Sequence, residues 1–142
     1  MSIEDLERAI SERNPPTPAA SHRRTDRVLV VDDEFLIRWS LRNRLQTEGF
    51  HVAEAASLAD ARRAFADDPC VIVLDVRLPD GNGLDLLDEI LKSRPDVRVI
   101  VISAHATADM VERAQQAGAF DFVHKPFDLN AIAAVVDRAR QL

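Results

Sequence analysis

One cysteine in 142 residues excludes an internal disulfide, and the place of Cys70 at the head of an apolar run makes it small core filler rather than a reactive thiol. No stretch approaches the roughly 18 apolar residues of a membrane span. Met1–Glu12 is acidic and polar, unlike a charged region followed by an apolar signal core, so a cytoplasmic protein is expected. The formal net charge is −6, and basic residues are scattered apart from Arg23, Arg24 and Arg27 near the start and Arg138 and Arg140 near the end. Phosphate contacts need a clustered positive face, so no direct nucleic-acid binding is expected of this chain. Internal repeats are missing, and the one low-complexity stretch is the proline-rich Asn14–Ser21.

What is present suffices for one domain: 46% hydrophobic residues give a core, and a second folded domain has no room. Residues 1–24 read as an N-terminal extension, and residues 25–142 as the folded unit. In the extension, Ser2–Arg13 puts Ile3, Leu6 and Ile10 on one helical face, with Ser2 and Asp5 spaced like a capping box. The prolines of Asn14–Ser21 stop a helix and make an extended linker. From there strands at 28–31, 51–54, 71–75, 98–103 and 119–123 alternate with helices at about 34–47, 58–66, 83–93, 107–117 and 128–141. Gly49, Pro69, Pro95 and Gly118 fall between helix and strand. Ser57 followed by Asp60, and Asp128, fit helix starts. Strict alternation implies a doubly wound α/β fold, a five-stranded parallel sheet with helices on both faces.

The chemistry gathers at strand ends. Val28–Glu34 (VLVVDDE) is an apolar run ending on Asp32 and Asp33, and Val71–Asp75 (VIVLD) ends on a third acid. Arg98–Ser103 (RVIVIS) ends on a hydroxyl, and Ala119–Val123 (AFDFV) stops just before Lys125. In a doubly wound sheet the carboxyl ends of different strands converge, so these groups would share one site. Three carboxylates there repel unless a cation offsets them, and an all-oxygen set without His or Cys favours Mg²⁺ or Mn²⁺ over zinc. The backbone carbonyl of Arg77 is a further candidate ligand. With Ser103 and Lys125 opposite, the site suits a phosphoryl group, and Asp75 could attack phosphorus in line to form an acyl phosphate.

These motifs, VDDE at 31–34, LDVRLPDGNGLDLL at 74–87, ISAH at 102–105 and FDFVHKPF at 120–127, resemble the receiver domain of two-component response regulators over Arg27–Leu142. The resemblance implies the flavodoxin-like strand order 2-1-3-4-5 and a phosphoacceptor switch served by a sensor histidine kinase or phosphotransfer protein. It implies no enzyme activity beyond self-phosphorylation and self-dephosphorylation. Residue by residue, Asp75 resembles the phosphorylated aspartate, Asp33 a direct metal ligand and Asp32 one acting partly through water. Ser103 resembles the switch hydroxyl, Lys125 the lysine that pairs with the phosphoryl group, and Phe122 the aromatic switch, here without a hydroxyl. Lys125–Pro126 resembles the family's cis peptide, and Arg77 and His105 stand where the family tunes water access. The wording ISAHATADMVERAQQAGAFDFVHKPF is similar to receivers that front alternative-sigma-factor transcription activators, and the 107–141 face is a candidate output and homodimer surface.

Two other classes are weighed. A haloacid-dehalogenase-like phosphatase also uses an aspartate nucleophile and Mg²⁺, but it wants a second acid two residues later, where this chain has Arg77. A flavodoxin-like electron carrier needs a hydroxyl- and glycine-rich loop after the first strand, where this chain has acids. Trp39 lies about 200° round the helix from Ile37, so it packs at the periphery or joins Phe35 in a partner contact.

Overall fold

The computed structural model describes residues 26–141. The extension and its proline linker, residues 1–24, lie outside that range. Five strands, β1 (Arg27–Val31), β2 (His51–Ala55), β3 (Val71–Asp75), β4 (Arg98–Ser103) and β5 (Asp121–His124), pair in parallel in the order β2-β1-β3-β4-β5. This is the expected flavodoxin-like order. β3 is buried at every position, which is why it reads as an unbroken apolar run instead of an alternating one.

Five helices cover the sheet: α1 (Phe35–Thr47), α2 (Leu58–Ala64), α3 (Gly83–Ser93), α4 (Ala108–Ala117) and α5 (Leu129–Gln141). Side chains of alternate parity on the strands go to opposite faces. Val28, Val30, Val71, Val73, Ile100 and Ile102 meet Leu41 and Leu45 of α1 and Ile132 and Val136 of α5. Leu29, Val31, Ile72, Leu74, Val99 and Val101 meet α2, α3 and α4 through Ala61, Leu87 and Ala114. Both faces of the sheet are therefore covered.

Local signals set most boundaries. Ser57 Oγ accepts from Asp60 N at 3.1 Å, and Thr107 Oγ1 accepts from Met110 N at 3.2 Å, so each hydroxyl serves a free helix-start amide. Asp128 Oδ1 likewise accepts from Asn130 N at 2.7 Å. Gly118 ends α4 with φ of 100°, a left-handed position that favours glycine.

Three expectations need correction. α2 stops at Ala64 and gives way to a 3₁₀ turn, Phe65–Asp67, instead of running to 66. The last strand starts at Asp121 and includes His124, because its register pairs Ile100 with Asp121 and Ser103 with His124. A two-residue antiparallel ribbon, Arg77–Leu78 with Gly81–Asn82, stands between β3 and α3. Elements that short carry no readable period.

Candidate phosphoacceptor site

Register builds the site. Val31 pairs with Leu74, so the next residues out, Asp32 and Asp75, emerge side by side where the strand order reverses between β1 and β3. Asp75 pairs with Ile102, and Ser103 with His124, which puts Ser103 and Lys125 just beyond the same rim. Backbone bonds fix the exits: Asp32 N donates to Ala55 O at 3.0 Å, Val76 N to Ile102 O at 3.1 Å and Lys125 N to Ser103 O at 2.8 Å. The Lys125–Pro126 peptide is cis, as the resemblance implied.

The carboxylates converge. One oxygen from each of Asp32, Asp33 and Asp75 lies within 4.8 Å of the others. Asp32 is fully buried and Asp75 is 5% exposed, while Asp33 is open to solvent. Asp32 Oδ1 accepts from Glu34 N at 2.8 Å. Its Oδ2 meets Lys125 Nζ at 2.8 Å in a buried ion pair. Three carboxylates converging on one ammonium leave negative charge in excess, and that all-oxygen set fits a hard divalent cation.

Lys125 Nζ also reaches Asp75 Oδ2 at 3.2 Å and Glu34 Oε1 at 3.4 Å. One ammonium thus spans three acids from two chain regions. Burial pushes the Asp75 carboxyl up, the Asp32 charge pushes it further, and Lys125 only partly offsets them, leaving it at about 6. For Lys125, burial disfavours the charge, but the contacts with Asp32 and then Asp75 outweigh it and the ammonium is held above its ordinary range.

Ser103 is 2% exposed and its Oγ accepts from His105 N at 3.2 Å, so the hydroxyl's own proton remains available. Phe122 sits on β5 opposite Val101, half-buried against the core, with the His124 ring 5.5 Å away and tilted by 51°. Arg77 N approaches Asp75 Oδ1 at 3.4 Å, and the Arg77 side chain is exposed on the ribbon. No acid stands there, as a second catalytic carboxylate would require.

Three contributors escaped the sequence reading. Glu34 adds an acid to the Lys125 cluster. Asp80 crosses from the ribbon to the start of α2, accepting from Leu58 N at 2.7 Å and Ala59 N at 3.0 Å, and these bonds hold its carboxyl below the usual range. Gly83 is required by contact: a Cβ there would lie 2.1 Å from the Asp75 carbonyl oxygen. Only the tight LPDGNG wording at 78–83 hinted at the last two.

The family model described as response regulator receiver domain matches residues 28–137. The DNA-binding transcriptional regulator NtrC of Azospirillum brasilense is 42% identical over 113 residues, 79% of this chain and 24% of the relative. Regulatory protein AtoC of Escherichia coli strain K12 is 36% identical over 118 residues, 82% of this chain and 26% of the relative. The chain therefore spans about a quarter of the length of these relatives. Among solved structures, the beryllofluoride-activated NtrC4 receiver domain dimer superposes with a TM-score of 0.77 at 39% identity, covering 82% of this chain and 97% of that one. The receiver domain of NtrX from Brucella abortus gives 0.75 at 37% identity, covering 80% and 98%.

Proposed function

The chain belongs to the family of response regulator receiver domains, and from that premise we propose that Asp75 accepts a phosphoryl group from a sensor histidine kinase or phosphotransfer protein and that Ser103 and Phe122 carry the change to a partner or output domain. The observation that carries this reading is Lys125 Nζ held between Asp32 and Asp75. One buried ammonium among Asp32, Asp75 and Glu34, with Asp33 alongside, leaves the cluster in negative excess, which suits a phosphoryl dianion entering together with a metal cation.

Asp32, Asp33 and Asp75, with the Arg77 backbone carbonyl, would hold Mg²⁺ or Mn²⁺, and the ion would neutralise the incoming phosphoryl oxygens. The chain's own residues do the rest. An Asp75 carboxylate oxygen attacks phosphorus as the donor's P–N bond breaks, and the bond's electron pair leaves with the imidazole nitrogen. Lys125 then moves its charge from the carboxylates to the phosphoryl oxygens. The Ser103 hydroxyl donates to another of these oxygens, and its departure from the His105 turn vacates space that Phe122 can fill. A phosphoryl group that inverts a two-state equilibrium nearly completely must favour one state by about 5 kcal/mol.

The same proposal places the work in the cytoplasm and gives the 107–141 face to output or pairing. Among the described residues, no helix is long and apolar enough to cross a membrane. The chemistry is self-modification, with no external substrate turned over. Incubation with acetyl phosphate and Mg²⁺ should add one phosphate by intact mass. Undiminished labelling of Asp75→Asn, or of the native chain in excess chelator, would remove the assignment.

A further inference from the structure

Every side chain assigned to the metal and phosphoryl positions lies at or just beyond the end of β1, β3, β4 or β5, and the edge strand β2 supplies none. Yet the end of β2 grips the turn that carries two of the metal ligands, and it does so at two points. Asp32 N donates to Ala55 O at 3.0 Å. Asp32 O accepts from Arg38 Nη1 at 2.7 Å, and Arg38 Nε in turn meets Glu54 Oε1 at 3.4 Å. Glu54 Oε2 also takes Arg42 Nη1 at 2.8 Å, so this carboxylate is held between two guanidinium groups. The Arg38 side chain is 16% exposed, and the Phe35 ring centroid lies 5.9 Å from its guanidinium carbon. A planar fork so covered reaches the Asp32 carbonyl on one side and Glu54 on the other.

We propose that Arg38, backed by Glu54, is a positioning residue for the divalent cation: it fixes the peptide between Asp32 and Asp33 and thereby aims the Asp33 carboxylate. The role rests on the receiver reading above. The carbonyl that Arg38 holds belongs to that planar peptide, so its orientation sets the direction in which Asp33 leaves the chain. The two acids are secured differently. The Asp32 carboxylate is anchored by Lys125 Nζ and by Glu34 N, whereas Asp33 is open to solvent and takes its direction from the backbone.

The turn needs such a hold. Asp32, Asp33 and Glu34 are three successive acids, offset on the site side by Lys125 through Asp32 and Glu34, and their mutual repulsion favours opening the turn when no cation is bound. No side chain caps the start of α1 at Glu34. The sign of the effect on the metal separates this role from that of a bystander charge. A guanidinium that merely stands near the site repels the ion, and its removal should tighten binding. A guanidinium that aims a ligand should loosen binding when it is lost, as outer-shell partners of metal ligands do.

The test compares the full chain with Arg38→Met, which keeps the stem and loses the charge, and with Arg38→Lys, which keeps the charge and loses the planar fork. Titration calorimetry with Mg²⁺ alone, without a phosphodonor, reads the affinity, and amide spectra in chelator read the turn without any metal. Both substitutions should raise the Mg²⁺ Kd about tenfold or more. Both should also shift the Asp33 amide resonance in chelator, because its nitrogen shares a peptide with the carbonyl that Arg38 holds. A loss of stability alone leaves the Kd of the folded chain where it was. Unchanged or tighter binding in Arg38→Met, or native affinity in Arg38→Lys, would overturn the proposal. An Asp33 resonance unmoved by either substitution would overturn it whatever the calorimetry gives. A native chain that takes up no Mg²⁺ would instead remove the metal reading on which the role rests.

Discussion

Replacing Asp75 by Asn should make the metal-free protein more stable, and the gain should depend on pH in a defined way. The carboxyl is raised from 3.8 to about 6 in the folded state, by burial first and the Asp32 charge second. A group whose folded pKa is raised binds its proton more tightly when folded, so the native chain loses stability as pH climbs from about 4 through 6. Two pKa units at about 1.4 kcal/mol each set the loss at about 3 kcal/mol, complete by pH 7. Asn keeps the shape and cannot ionise. The Asp75→Asn advantage should therefore be small near pH 4 and reach about 3 kcal/mol at pH 7 to 8, a rise of about 1–2 M in the urea midpoint. Mg²⁺ should shrink it, because a bound cation stabilises the native carboxylates and not the variant's amide. Urea melts of both proteins at several pH values, with Mg²⁺ and with chelator, measure all three trends. A gap that does not change with pH, or a native chain more stable than the variant at pH 8 in chelator, would refute the electrostatic reasoning.

Other expectations follow from the same contacts. Lys125→Gln removes the cation facing fully buried Asp32 and should cost about 3 kcal/mol in chelator, with Mg²⁺ restoring part of it; an unchanged melt would show that the ion pair contributes nothing. Gly83→Ala forces a methyl against the Asp75 carbonyl oxygen and should cost about 2–3 kcal/mol while slowing acetyl phosphate labelling; normal labelling would mean that α3 can slide away freely. Beryllofluoride with Mg²⁺ should shift amide resonances of α4, β5 and α5 in the native chain but leave them largely in place in Phe122→Ala. Shifts confined to the metal site in the native chain would argue that output bypasses Phe122.

The sequence by itself determined the layered fold and the identity of the polar groups at the rim, because both are written in local patterns. Apolar runs of strand length, capping residues and glycine stops place α1 to α5 and β1 to β5 within a residue or two, and a strict alternation of strands and helices allows few ways to cover a sheet on both faces. Asp32, Asp33, Asp75, Ser103 and Lys125 were legible since each ends or closely follows a strand, and strand ends meet at one edge. Tertiary structure alone decided how those groups interact. That Asp32 is fully buried against Lys125 while adjacent Asp33 is open depends on how the end of β1 packs against its neighbours. Lys125 reaching across 93 positions to Asp32 and 91 to Glu34, Asp80 serving a helix 22 positions earlier, and Gly83 pressed on the Asp75 backbone are distances set by packing. No period in the chain encodes them, because they arise only when separate elements share one core.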